Sequence, residues 1–140
     1  MSALKLSDPM AERIADLVQA ESQSLPYHLH LFENNHTPAN SDTVADYTEC
    51  TFPGYAAVDL PAIVGVTIST HIATATWDPE VFTRSAGAGT FNVYGYYVTD
   101  DTDAVLLWAQ RDDLAPVSMN TVGQTYVVVP KMTFQDLTPA

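Results

Sequence analysis

Basic side chains are scarce in this sequence. Lys5, Arg13, Arg84, Arg111 and Lys131 stand against 17 acidic residues in 140, a formal net charge of −12 with the histidines neutral. Scattered singly, these five cannot neutralise a run of phosphates, so nucleic acid is not an expected partner and an anionic membrane is disfavoured by the same sign argument. Cysteine is nearly absent: Cys50 stands alone and cannot close an internal disulfide. No uninterrupted apolar stretch approaches the roughly 18 residues that span a bilayer. No charged n-region leads into a long apolar segment with a cleavage site, so a soluble chain without a secretion signal is expected. Charge of either sign is sparse as well, at 16% of residues, below the roughly 25% of ordinary globular domains.

What is present is apolar and aromatic: 46% hydrophobic residues, with 7 Tyr, 5 Phe and 2 Trp. That is enough to build a core and too much for a disordered tail. A chain of this length leaves a modest stability margin unless partners cover more of its apolar surface.

The chain opens with helical grammar. Asp8 suits an N-cap and Pro9 the first helical position, where a missing N–H costs nothing. Met10, Ile14, Leu17 and Val18 then fall on one apolar stripe, while Glu12, Arg13, Asp16 and Gln19 face elsewhere. Residues 1–26 are therefore read as an amphipathic helical arm, and residues 27–140 as a β domain. Beyond Pro26, short runs rich in Val, Ile, Thr, Tyr and Phe alternate with Pro, Gly, Asn and Asp. Strands are expected at Tyr27–Phe32, Ala56–Leu60, Val66–Ile72, Glu80–Thr83, Thr90–Thr99, Ala104–Arg111, Gln124–Pro130 and Lys131–Phe134. The resulting fold class is mainly β: an antiparallel β-sandwich or barrel-like domain with an N-terminal amphipathic helical arm. Asp42 is expected to cap one helical turn through Asp46, and Pro53-Gly54 fits the centre of a type II turn. Thr90–Arg111 is the strongest hairpin, closed by Asp100–Asp103. Both of its faces carry aromatic or branched residues, which suits a strand covered on two sides.

Each candidate for chemistry has a plainer reading beside it. His28 and His30 share a strand face, and imidazole is a common metal ligand. A cupin-like site, however, wants His-x-His and then a Glu after three or four intervening residues, and only two separate His30 from Glu33. His28, His30 and His36 are therefore read as polar residues of a less buried edge, and no metal is expected. Asp100, Asp101 and Asp103 lack the glycine and distal glutamate of an EF-hand loop and read as a solvated hairpin tip. Gly87-x-Gly89 reads as a loop, lacking the following helix and third glycine of a dinucleotide site. Cys50 has no basic neighbour in sequence and reads as a packing residue. Tyr55, Tyr94, Tyr96 and Trp108 offer faces to a sugar, but inside strands they read first as core or subunit contacts. No cofactor and no enzymatic activity are expected.

Two stretches, LHLFENNHTPANSDTVADYTECTFPGYAAVDL from Leu29 to Leu60 and VYGYYVTDDTDAVLLWAQR from Val93 to Arg111, resemble a family of small structural proteins encoded by tailed bacteriophages and prophages. The LFxNNxTP and FxGYA elements are its distinctive parts. The residues before Tyr27 depart from it as an added arm, and Pro61–Gly65 lacks the tryptophan expected after the FxGYA strand. The resemblance implies a virion component without a catalytic motif. The expectation is a capsid decoration, or cement, protein on the outside of a phage head, made in the host cytoplasm. It would bind the major capsid protein and bridge capsomers through Met10, Ile14, Leu17 and Val18, and it would do so as a homotrimer. Two alternatives stay open: a tail or fibre-associated protein that binds host glycans, and a small cupin-like metalloprotein.

Overall fold

The computed structural model describes residues 26–60, 63–69 and 72–135, together with Arg13, Leu17 and Ala20. These three are helical and exposed, but the arm as such, and Met10, Ile14 and Val18 within it, lie outside the described residues. The rest is mainly β, with every strand pair antiparallel. The strands are β1 (His28–Phe32), β2 (Val58–Asp59), β3 (Ile63–Ser69), β4 (Ile72–Trp77), β5 (Glu80–Thr83), β6 (Phe91–Val93), β7 (Gly95–Thr99), β8 (Leu106–Arg111), β9 (Val117–Met119), β10 (Thr125–Val128) and β11 (Lys131–Gln135). They form four open sheets, and among the described residues none closes into the barrel that the sequence left open. No described helix is long and apolar enough to cross a membrane.

The chain divides into two compact units. The smaller includes residues 61–79 and 129–140 and holds a three-stranded sheet in the order β11-β4-β3. The single strand expected at Val66–Ile72 is two strands here, β3 and β4, paired as a hairpin from Ile63↔Trp77 to Ser69↔Ile72. No proline, glycine, asparagine or aspartate falls between Val66 and Ile72, so the sequence carries no turn signal there.

The larger unit, residues 25–60 and 80–128, contains a four-stranded sheet in the order β2-β1-β7-β8 and the ribbons β5–β10 and β6–β9. At the centre of the four-stranded sheet every residue of β7 is buried, as expected of a strand covered on both faces. On one face Phe32, Tyr47 and Tyr97 form a core cluster, with Phe32–Tyr47 and Tyr47–Tyr97 ring centroids each 5.1 Å apart. On the other, Leu29, Leu31 and Val98 are fully buried.

Thr90–Thr99 is a further correction. It breaks at Tyr94, so β6 pairs with β9 while β7 joins β1 and β8. The break has a steric cause. A Cβ at Gly95 would meet the Gln110 carbonyl oxygen, the Arg111 Cα at 2.9 Å and the Phe32 ring at 2.9 Å. Only glycine lets the neighbouring backbone come this close.

Pro53-Gly54 forms the expected turn: the Tyr55 N–H donates to the Phe52 carbonyl at 3.0 Å, and Gly54 has φ of 92°. The helical turn is present as a 3-10 turn, Val44–Asp46, but its N-cap is Thr43, one residue later than expected. Asp42 is otherwise engaged. Its Oδ2 accepts from Tyr47 Oη at 2.7 Å, His36 Nε2 at 2.7 Å and the Ala39 N–H at 2.9 Å.

Candidate functional site

The strongest concentration of chemical groups lies on one face of the four-stranded sheet, where β1 meets the β7–β8 hairpin loop. Residues two apart on a strand share a face, so β1 presents His28 and His30 side by side. The register places His28 opposite Thr99 and His30 opposite Tyr97. His30 stacks on Tyr97 with ring centroids 4.6 Å apart and planes 7° apart, which fixes the imidazole orientation. His30 is 5% exposed, and His28 is half-buried.

The third member comes from the hairpin loop. Asp103 has φ of 61°, a left-handed conformation that Asp and Asn tolerate better than most residues, and its N–H donates to the Asp100 carbonyl at 3.2 Å. Its Oδ1 lies 2.6 Å from His28 Nδ1 and 3.2 Å from His30 Nε2, and accepts from Thr99 Oγ1 at 3.1 Å. The bond from His28 is the main reason that the Asp103 carboxyl is held below the ordinary aspartate range; the bond from Thr99 and the two imidazoles add to it against some burial.

Carboxylates also flank the far side of each ring. Glu49 Oε1 is 2.9 Å from His30 Nδ1, and Asp59 Oδ1 is 3.5 Å from His28 Nε2. Glu49 is itself held by Tyr55, whose hydroxyl donates to Oε1 at 2.8 Å and accepts from the Leu31 N–H at 3.0 Å. Burial above all keeps the Tyr55 phenol protonated, its pKa pushed well above the ordinary tyrosine range.

The candidates named from sequence sort out differently around this cluster. His36 stands apart, bonded to Asp42. Glu33, the carboxylate that a cupin-like reading would use, accepts from the Thr51 N–H and hydroxyl, each at 3.2 Å. The Asp100–Asp103 loop does not gather its carboxylates. Asp100 accepts from Thr102 Oγ1 and the Val105 N–H, while Asp103 turns to the histidines. Cys50 is buried, and burial raises its thiol pKa well above the ordinary value, with Glu33 and Glu49 adding to the effect. Glu49, Asp59 and Asp103 were missed as partners of the histidines. The one signal available in sequence was the His-x-His face; the rest required the register of β1 against β7.

A second feature is a cleft of about 540 Å³ between the 38–47 segment and β8, lined by Asn40, Asp42, Tyr47 and Trp108 among others. Of the four aromatics considered for sugar binding, only Trp108 lines it. Tyr96 is buried with its hydroxyl donating to Gln110 Oε1 at 3.0 Å, Tyr55 is committed to Glu49, and Tyr94 lies under the Arg111 guanidinium.

The LFxNNxTP element proves to be a fastened loop. Asn34 Nδ2 donates to the Asp46 carbonyl at 2.9 Å, its Oδ1 accepts from the Thr48 N–H at 2.8 Å, and Arg111 Nη1 donates to the His36 carbonyl at 3.0 Å. These polar groups are spent on backbone, which is how irregular segments satisfy their amides and carbonyls. No family model, curated protein or solved structure matches this chain.

Proposed function

We propose that the chain is a structural protein of a tailed-phage virion: a decoration protein that sits on the outside of the head, binds the major capsid protein and bridges neighbouring capsomers. The observation that carries this reading is an apolar pair on the β5–β10 ribbon. Val81 and Val127 are directly opposite each other and are 57% and 53% exposed, while Phe82, Tyr126 and Val128 are buried. A valine pair left exposed on the outer face of a ribbon whose inner face is buried suits contact with another protein. The fastened LFENNHTP loop supports the same reading, because its polar residues build shape rather than a reactive centre.

The finer fold reading, an antiparallel sandwich with an amphipathic arm of residues 1–26, belongs to this proposal, as does assembly into a homotrimer. In it the arm lays Met10, Ile14, Leu17 and Val18 into a capsid groove. The bound protein then stabilises the assembled shell because it favours that state by mass action.

The test is copy number together with head binding. Purified virions should contain hundreds of copies, and purified protein should sediment with undecorated heads to a fixed stoichiometry. A few copies per particle, or no cosedimentation, overturns the decoration reading. The tail-associated glycan-binding reading is favoured by the Trp108-lined cleft, and it wins if copies are few and Trp108→Ala abolishes binding to host polysaccharide.

A further inference from the structure

We propose that His28 Nδ1, His30 Nε2 and an oxygen of Asp103 form a binding site for one divalent transition-metal ion of the zinc class. This is independent of the virion reading and uses a different ligand set from a cupin-like His-x-His-Glu pattern. The three ligand atoms lie within 4.8 Å of one another. Ligand atoms around a tetrahedral zinc stand about 3.4 Å apart, given metal–ligand bonds of about 2.1 Å. The 2.6 and 3.2 Å separations from Asp103 Oδ1 to the two ring nitrogens are close to that spacing. An outward shift of Asp103 by less than about 1 Å opens the space, and Asp103 is on an exposed hairpin loop.

Proton counting favours the ion. A neutral imidazole has one N–H and one lone pair. His30 has Glu49 Oε1 at 2.9 Å from Nδ1 and Asp103 Oδ1 at 3.2 Å from Nε2. If Nδ1–H donates to Glu49, the Nε2 lone pair faces both the Thr99 hydroxyl, 3.0 Å away, and the Asp103 carboxylate. His28 has Asp103 Oδ1 at 2.6 Å from Nδ1 and Asp59 Oδ1 at 3.5 Å from Nε2, so moving its single N–H to the Asp59 side frees Nδ1 for a cation. One cation on the Asp103 side then gives His28 Nδ1 and His30 Nε2 a shared positive partner beside the Asp103 carboxylate.

The far nitrogens are then arranged as metal sites arrange them. A ligating histidine almost always donates its other N–H to a carboxylate, carbonyl or water, which fixes the tautomer and strengthens the ligand. Glu49 is fixed for that role by Tyr55, and His30 is fixed by its stack on Tyr97. Two imidazoles with one carboxylate suit zinc or a neighbouring transition metal better than the all-oxygen shells of calcium or magnesium. The ion would clamp β1 to the β7–β8 loop, joining segments more than 70 residues apart in sequence.

The full chain, stripped with a chelator and returned to metal-free buffer, is titrated with Zn²⁺ by calorimetry and with Co²⁺ by visible absorption. One equivalent should bind with a dissociation constant of about 10 µM or tighter, raise the melting temperature and give a cobalt ligand-field band. Asp103→Asn should weaken binding at least tenfold. Asn also tolerates the left-handed conformation at 103, so this variant keeps its fold and tests the site even if His30→Gln unfolds. Glu49→Gln should weaken binding without removing the ion, and His36→Gln should leave it unchanged. The alternative is a purely protonic network in which both imidazoles are cationic. Saturable binding absent up to about 100 µM metal, binding unaffected by Asp103→Asn, or histidine-ring ¹⁵N shifts that stay those of imidazolium with Zn²⁺ present would each overturn the proposal.

Discussion

Arg84 Nη1 donates to the Met119 carbonyl at 2.6 Å in the interior of the larger unit, where Arg84 is 0% exposed. The same nitrogen donates to the Gly89 carbonyl at 2.6 Å, Nη2 to Gly87 at 3.0 Å and Nε to Ala86 at 3.3 Å, and the guanidinium carbon lies 4.9 Å from the Phe91 ring centroid. A buried charge is solvated here by backbone dipoles and an aromatic face. The 86–89 segment, read from sequence as a loop, is wrapped around this cation.

Removing that cation should be severe. Arg84→Met leaves several inward-facing carbonyls without donors and is expected to cost about 3–5 kcal/mol. Arg84→Lys should recover less than half of the loss, because a compact ammonium cannot reach the same fork of acceptors. Denaturant midpoints measure both. A loss below about 1 kcal/mol for Arg84→Met would show that the loop holds without it.

Acid stability should depend on Asp42. The hydrogen bond from Tyr47, then those from His36 and the Ala39 N–H, lower its carboxyl pKa to about 2. Because the folded value lies below the ordinary one, the stabilisation is complete above about pH 4 and is lost as pH falls toward about 2. The difference between the parent and Asp42→Asn should therefore shrink across that acid window. Tyr47→Phe, which removes the largest cause, should move the Asp42 titration upward, as followed by carboxyl ¹³C shifts. An unchanged titration would contradict the assignment.

Gly54 should not tolerate a side chain. Its φ is 92°, and a Cβ would lie 2.6 Å from Ser85 Oγ and 2.7 Å from the Thr83 carbonyl oxygen. Gly54→Val combines a conformational cost of about 1–2 kcal/mol with a backbone collision, so folding and assembly should fail together. Gly65→Ala is the control, since nothing lies within 4 Å of its added Cβ. A cooperative melt for Gly54→Val close to that of the parent would refute this account.

In the proposed decoration role, attachment to heads should depend more on apolar burial than on charge. Leu17 is 69% exposed, so Leu17→Asp should leave the β units folded. Burying a leucine contributes roughly 1.5–3 kcal/mol, whereas an exposed ion pair contributes about 0–1 kcal/mol and is screened by salt. In sedimentation with undecorated heads, Leu17→Asp should release more protein than about 0.5 M salt does. The reverse result would make the interface electrostatic and remove the arm as anchor.

The sequence by itself determined the mainly β class, the strand at Glu80–Thr83, the Pro53-Gly54 turn and the two-sided burial of β7. Each of these depends on local alternation, on proline and glycine backbone restriction, or on a continuous apolar run, all readable within a few residues. Tertiary structure decided the split at Tyr94, because the crowding around Gly95 comes from Phe32, Gln110 and Arg111. It also decided that β9, a three-residue strand with no apolar run of its own, pairs with β6. The completed histidine site belongs to this second category. His28 and His30 share a face by the period of a strand, but Asp103 reaches them only because β1 and β7 pair in one register. A slip of a single residue would turn both imidazoles to the opposite face.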